Sequence, residues 1–213
     1  MPEMEIVPGT QFRNAFNRET FIFHQGIRSG ANSFTVVLEA GGSGGGNALK
    51  HVHPTSDERF FVKRGAVVIT VGPDQFLVSA GEEMTVPAGK PHCFHSAWDG
   101  VTEMVVEFSP VGQQMQFFAN FAALVSLRPE WFHPDGRPHI LLMALKLATF
   151  SNSLYLSGIP VWLQKWLFAA LAPIATLRGY RMLIGRSHAQ SSSAKQTTTE
   201  DRPGAGKGYR DLT

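Results

Sequence analysis

Short hydrophobic runs separated by turn residues fill the first half of the chain, from about Thr20 to Phe108. Four runs of alternating or continuous apolar and β-branched residues predict strands, at 34–38, 66–71, 75–79 and 102–108. Turn sequences such as Gly-Pro-Asp at 72–74 separate them. This pattern is typical of an all-β sandwich or barrel.

The hydrophobic period changes in the second half of the chain, where apolar residues fall at helical intervals. These intervals occur first between Met115 and Val125, and two longer apolar stretches follow at 140–150 and 161–177. We therefore predict about three helices, with Pro173 ending or kinking the last one. From residue 187 onward the chain is rich in Ser, Thr and Gly and lacks periodicity, which predicts a disordered tail.

These patterns divide the chain into four parts. An N-terminal segment (1–33) precedes a β core (34–110), a helical extension (111–186) and the tail (187–213). A glycine-rich stretch at 41–46 lies between two predicted strands. It is either a flexible connector or a loop that lets a substrate approach the β core.

Composition narrows the class of protein. Hydrophobic residues make up 43% of the chain and charged residues 17%, which excludes a wholly disordered protein. The net charge of +2 gives no field that favours nucleic acid, so we expect no nucleic-acid partner. Cys93 is the single cysteine, so no internal disulfide can form, and the N-terminus has neither a secretory signal nor a basic presequence. A cytoplasmic location is the simplest expectation.

The last apolar stretch bears on membrane association. Its uninterrupted run, 166–177, is shorter than the ~20 residues that span a bilayer. An interfacial position through its aromatic face is an alternative, but packing against the β core or a second subunit is commoner. We therefore do not expect membrane association, and a homodimer remains an option.

Side chains with metal-binding chemistry concentrate in the middle of the chain. His51 and His53 lie two apart on an extended segment, so their imidazoles point to the same side of a sheet. The turn-forming residues 54–57 can reverse the chain and bring Glu58 back on the neighbouring strand. His92 follows a Pro-Ala-Gly turn that can aim a fourth ligand at the same point. Three imidazoles and one carboxylate suit iron, manganese, nickel, cobalt, copper or zinc, and ligand type does not choose among them.

The spacing of these residues resembles the two-motif signature of the cupin superfamily. The first motif matches Gly45, His51, His53, Glu58 and Gly65, and the second matches Gly81, Pro87, Gly89 and His92. Ser96 stands where the family pattern has Asn, a position that is not a metal ligand. The resemblance implies a mainly β fold, a single cupin barrel of the double-stranded β-helix or jelly-roll type, followed here by the C-terminal helical extension. It also implies a divalent transition metal held by four ligands: His51, His53, Glu58 and His92.

Strand parity predicts the wall around this site. Phe60, Val62 and Phe94 share parity with Glu58 or His92, which predicts an apolar pocket. Such a wall suits a hydrophobic or aromatic small molecule better than a sugar phosphate. The alternative is that these side chains belong to the core only. No separate general base can be named, so the catalytic residues stay unassigned.

Four protein ligands on an ion that prefers six leave two positions for a substrate, water or dioxygen. We therefore predict a metal-dependent oxidoreductase that acts on a small apolar or aromatic molecule. One barrel with a hydrophobic helical extension also resembles the cupin-domain oxidoreductases of fungal aromatic polyketide pathways, which implies tailoring of a secondary metabolite. A metal-dependent isomerase or cyclase at the same site and a non-catalytic small-molecule-binding cupin are the alternatives.

Overall fold

The computed structural model describes residues 4–27, 30–44 and 49–185. Its strands are β1 (Thr10–Asn14), β2 (Glu19–Phe23), β3 (Ser33–Leu38), β4 (His51–Val52), β5 (Asp57–Arg64), β6 (Ala66–Val71), β7 (Asp74–Ser79), β8 (Glu83–Val86), β9 (His92–Ser96), β10 (Thr102–Ser109) and β11 (Tyr155–Leu156). Its α-helices are α1 (Gln114–Leu127), α2 (Ile140–Thr149) and α3 (Val161–Leu177), and a 3₁₀ turn spans Pro129–Trp131. Gly45 of the first motif and the predicted tail, 187–213, lie outside the described residues.

The strands form two antiparallel sheets that face each other. The larger sheet has the order β1-β2-β3-β10-β5-β8, and the smaller has the order β11-β4-β9-β6-β7. Burial alternates along β10, where Met104, Val106 and Phe108 point inward. The predicted mainly β cupin fold with C-terminal helices is confirmed, and the four predicted strands correspond to β3, β6, β7 and β10.

The predicted barrel is not closed, because no strand pairing joins the two sheets within the described ranges. The chain passes from β5 in one sheet to β6 in the other at Gly65, which has a positive φ of 76°. A Cβ at this position would lie 2.9 Å from Thr102 Cα, so the crossing requires glycine. Side-chain packing between the sheets therefore replaces a continuous hydrogen-bonded wall.

The N-terminal segment is part of the β core. Strands β1 and β2 pair with each other, and β2 pairs with β3 in the larger sheet. Phe21 and Phe23 of β2 are buried and their rings lie 5.6 and 5.7 Å from the ring of Phe34. The boundary predicted at residue 33 consequently separates strands that share one sheet and one core.

The helical extension covers one side of the sheets. From α1, Phe118 stacks on Phe108 at 5.4 Å between ring centroids, and it contacts Phe34 at 5.3 Å. The last helix, α3, continues through Pro173 to Leu177. It buries Phe168 but leaves Trp166 largely exposed. None of the helices in the described chain is both long and apolar enough to cross a membrane.

The extension also enters the smaller sheet. Tyr155 and Leu156 of β11 pair with Val52 and His51 of β4. The side chain of Gln164 fixes β11 by bonding to both the N–H and the C=O of Leu156, at 2.9 Å each. The strand that carries His51 is thus flanked by a strand from the distant, helical half of the chain.

Candidate metal centre

The four predicted ligands come from both sheets and meet between them. His51 of β4 lies directly across from His92 of β9 in the smaller sheet. His53 follows β4, and Glu58 extends from β5 of the larger sheet. One donor atom from each residue lies within 4.8 Å of the other three. The structure therefore brings together all four side chains that the motif spacing selected.

The separations fit the coordination shell of one ion. Glu58 Oε2 lies 2.6 Å from His92 Nε2, 3.1 Å from His53 Nε2 and 4.0 Å from His51 Nε2. Metal–ligand bonds of about 2.1 Å place neighbouring ligand atoms about 3 Å apart and opposite ones about 4 Å apart. An ion could be held here with small side-chain adjustments.

Hydrogen bonds to the backbone fix the orientation of all three imidazoles. Nδ1 of His51 lies 3.0 Å from the Leu49 carbonyl, and Nδ1 of His92 lies 2.9 Å from the Lys90 carbonyl. Nδ1 of His53 bonds to the carbonyl of Ser153. Because a carbonyl oxygen only accepts, each Nδ1 carries a proton, and each ring turns its Nε2 inward as the atom that a metal ion would bind.

Two of these inward nitrogens have no hydrogen-bond partner among the described residues. Nε2 of His51 and Nε2 of His53 are buried and unpaired, although the latter is near Glu58. A buried nitrogen without a partner costs about 1–3 kcal/mol. Coordination of a metal ion would satisfy both nitrogens, so the residues present fit the ion that the motif implies.

Burial and close packing shift the pKa values of the cluster. Burial and the neighbouring His92 and His53 lower the pKa of His51 to about 3, so its ring stays neutral. Burial alone would raise the pKa of Glu58, but electrostatic attraction to His53 and the hydrogen bond from His92 hold it well below its usual range. Burial opposes the charge on His92, yet the hydrogen bond to Glu58 raises its pKa. The carboxylate is therefore ionised and available as an oxygen ligand.

A cavity of about 150 Å³ adjoins this cluster. A cavity of this volume holds one benzene-sized ring. Its lining is largely apolar and includes six phenylalanines from both the β core and the helical extension: Phe21, Phe34, Phe94, Phe117, Phe118 and Phe121. Both His51 and Glu58 border it, and His53 and His92 lie behind them. The cavity thus opens onto one side of the candidate metal centre.

The three predicted pocket residues occupy different positions. Phe94 borders the cavity. Phe60 and Val62 are completely buried, and neither is among the described residues that line the cavity. Phe60 packs edge-on against His92 at 6.3 Å and against Phe94 at 5.5 Å. Phe60 therefore packs against His92 and against Phe94 of the cavity wall from the core side.

Three polar groups near the site were not selected from the sequence. Ser153 supplies the carbonyl that orients His53. Glu19, at the start of β2, and Lys146, in α2, are both buried and line the cavity. The sequence does contain patterns that could have indicated Glu19 and Lys146. Glu19 shares strand parity with two inward phenylalanines, and Lys146 is the single charged residue in the apolar stretch at 140–150.

Comparisons with known proteins match the β core of the chain to a protein family. Residues 34–108 match the family model described as Cupin domain. Quercetin 2,3-dioxygenase from Bacillus subtilis (strain 168) is 32% identical over 82 residues, which are 38% of this chain and 24% of that protein. This chain therefore matches about a quarter of the length of that curated relative.

Solved structures of similar shape have low sequence identity. The nucleoside dehydratase Pac13 has a TM-score of 0.40 at 17% identity, covering 54% of this chain and 88% of that one. A cupin-superfamily sugar phosphate isomerase from Silicibacter pomeroyi has a TM-score of 0.38 at 18% identity, covering 51% of this chain and 72% of that one.

Proposed function

From the premise that residues 34–108 form a cupin domain, we propose that the chain is a metal-dependent enzyme that oxidises a small apolar or aromatic molecule. The observation that carries the proposal is the convergence of three oriented imidazoles and one ionised carboxylate beside an aromatic cavity. The ligands would be His51, His53, Glu58 and His92. A bound ion would supply a Lewis-acid centre with positions for substrate and dioxygen or water.

The protein contributes orientation and exclusion of water. The carbonyls of Leu49, Lys90 and Ser153 hold the rings in place, so little reorganisation accompanies binding. His51 and Glu58 border the cavity, so a substrate reaches the centre from their side. Aromatic side chains surround that route and favour a flat apolar molecule over a strongly hydrated one.

Oxidation is favoured over other metal chemistry by the curated relative, a quercetin 2,3-dioxygenase that is 32% identical over 82 residues. The matched segment is only 24% of that protein, so the reaction type is inferred. The predicted role in tailoring an aromatic polyketide-like metabolite remains part of this proposal, and the one-ring cavity is compatible with it.

An isomerase or cyclase at the same site is the second candidate, and Glu19 is the observation that favours it. Burial raises the pKa of Glu19 to about 7, against weaker opposing hydrogen bonds from Asn14, Ser43 and Asn17. A carboxyl group that titrates near neutral pH can donate and accept protons. Because Glu19 lines the cavity, it could transfer a proton to or from a substrate polarised at the metal centre.

Metal analysis of purified protein tests the proposal first. We expect close to one transition-metal ion per chain, and Glu58→Gln should lower its affinity at least about tenfold because a ligand charge is lost. Glu103→Gln is the matched control, since this glutamate pairs with Lys63 on the surface. Wild-type protein that takes up no transition metal from a panel of iron, manganese, nickel, cobalt, copper and zinc would overturn the proposal.

Oxygen consumption then separates the two enzymatic candidates. The loaded wild-type protein should consume dioxygen with a library of one-ring and two-ring aromatic substrates, and the Glu58→Gln variant should not. Substrate conversion without oxygen consumption would support the isomerase or cyclase instead. Ligand affinity that is unchanged by removing the metal, with no conversion of any substrate, would indicate a non-catalytic binding protein.

A further inference from the structure

Lys146 is a buried lysine on the cavity wall. It lies in α2 within an otherwise apolar stretch, is 4% exposed and lines the cavity. Lysine is almost never fully buried without a partner. Its Nζ lies 3.8 Å from the ring centroid of Phe117 and 4.3 Å from that of Phe121. Two ring faces offset part of the cost of burying an ammonium group, but they do not accept hydrogen bonds as oxygen does.

The acidic residues that line the same cavity are engaged elsewhere. Glu58 contacts the three imidazoles, and Glu19 accepts a hydrogen bond of 2.8 Å from Asn14. Asp135 pairs with Arg137 at 2.6 Å. Within the part of the chain that the structure describes, Lys146 has neither an ion pair nor a hydrogen bond. Its three donors face an aromatic cavity without an oxygen partner.

The electrostatic cost of this arrangement points to an anion from outside the chain. Burial lowers the pKa of Lys146 well below its usual value, because the charged form is poorly solvated. An anionic group that entered the cavity would restore both the charge balance and the missing hydrogen bonds. A neutral ligand would leave the cation unpaired, so the cavity should discriminate by charge.

Lys146 and the metal centre lie on two sides of one aromatic cluster. Phe118 lies 5.3 Å from Phe117, which contacts the lysine, and 6.0 Å from His53 of the ligand set. The cavity of about 150 Å³ is bordered by both Lys146 and Glu58. A molecule with one ring therefore fits the cavity that both residues border.

We propose that the cavity binds a one-ring aromatic molecule bearing a carboxylate or another anionic oxygen group, and that Lys146 is the counter-ion of that group. This deepens the proposed function by naming the substrate class. The assignment of Lys146 rests on the proposed function in one point only: the end of the molecule opposite its anionic group would face the candidate metal centre. Lys146 is accordingly a specificity-determining residue that contacts the ligand.

Calorimetric titration with benzoate and its neutral analogue benzamide tests this assignment. We expect the wild-type protein to bind benzoate more tightly than benzamide. Lys146→Met, which keeps the length and apolar stem, should weaken benzoate binding at least about tenfold and leave benzamide within about twofold. Lys146→Arg should retain the preference for the anion. Lys165→Met is the matched control, since Lys165 is exposed on α3.

The titrations are run on protein as purified and again after removal of metal by a chelator. A benzoate preference that survives in metal-free protein and disappears in Lys146→Met supports the assignment. This conclusion holds even if metal analysis of wild type and Glu58→Gln shows that the protein binds no metal ion. A preference that is lost with the metal and is unaffected by Lys146→Met would place the carboxylate on the ion and overturn it. Equal binding of benzoate and benzamide by the wild type would also overturn it.

Chemical labelling tests the same contact independently. Benzaldehyde would condense with the Nζ amine to an imine with loss of water, and sodium borohydride would then reduce the imine, with hydride adding to the former aldehyde carbon and a proton from water to the nitrogen. Mass spectrometry would locate the resulting benzyl adduct. Labelling of Lys146 that benzoate suppresses would support the assignment, and labelling of Lys146 that benzoate leaves unchanged would overturn it.

Discussion

Replacing Glu19 by glutamine should make the protein more stable at neutral and alkaline pH. The carboxyl group is buried, and its pKa rises from 4.5 to about 7 on folding. The folded state therefore binds a proton more tightly than the unfolded chain. The stability that this proton contributes is fully present below pH 4.5 and is lost as the pH rises through about 7. Glutamine is never ionised, so Glu19→Gln avoids the loss.

The size of the effect follows from the shift. One pKa unit corresponds to about 1.36 kcal/mol, so a rise from 4.5 to about 7 corresponds to about 3 kcal/mol at most. Relative to the wild type, Glu19→Gln should gain stability progressively between pH 4.5 and pH 7 and then level off. Glutamine can keep the hydrogen bond from Asn14 Nδ2, which now reaches Oε1 at 2.8 Å. The substitution should therefore leave the local packing intact.

Urea denaturation of metal-free protein at several pH values provides the measurement. The difference in unfolding free energy between variant and wild type isolates Glu19 from the other titrating groups. Glu39→Gln serves as the control, because Glu39 pairs with Arg13 at the surface. A difference between Glu19→Gln and wild type that stays constant from pH 4 to pH 8 would refute the reasoning, since it would mean that the carboxyl group does not titrate in this range.

Two further predictions concern the supports of the site, each with a matched control. Gly65→Ala should destabilise the fold at least about 2 kcal/mol more than Gly81→Ala. Both glycines have a positive φ, but a Cβ added at Gly65 would lie against Thr102, whereas one added at Gly81 would lie in open space. Chemical denaturation measures both, and equal losses would contradict the crossing geometry. Gln164→Ala should cost about 2–4 kcal/mol, because three backbone groups lose their partner. Gln164→Ala should also weaken metal binding, whereas Lys165→Ala should change neither stability nor metal affinity. Unchanged metal affinity in Gln164→Ala would mean that β11 does not support the candidate metal centre.

The convergence of His51, His53 and Glu58 could be predicted from the sequence because it follows from local geometry. Two histidines at a spacing of two on a strand must share a face, and a turn at 54–57 returns the chain to place Glu58 opposite. The strands of the β core and the three helices were predictable for the same reason, since burial along each element follows its own period. Phe94 on the cavity wall also followed from parity.

The remaining features depend on contacts between distant parts of the chain. The Ser153 carbonyl bonds to His53 across 100 residues, and nothing in the local sequence around either residue indicates this pairing. The separation of the strands into two sheets depends on how the chain turns at Gly65. Lys146 was recognisable as an isolated charge in an apolar helix, but only the position of α2 against the β core shows what the charge faces.

The pairing of β11 with β4 changes what counts as the smallest working unit of this protein. The recognised family segment ends at residue 108, before the chain has delivered the carbonyl that aligns His53. A fragment trimmed to that segment would retain all four candidate ligands but would lack the carbonyl that orients His53. Chimeras that exchange this β domain between relatives should therefore carry the downstream residues through α3 along with it.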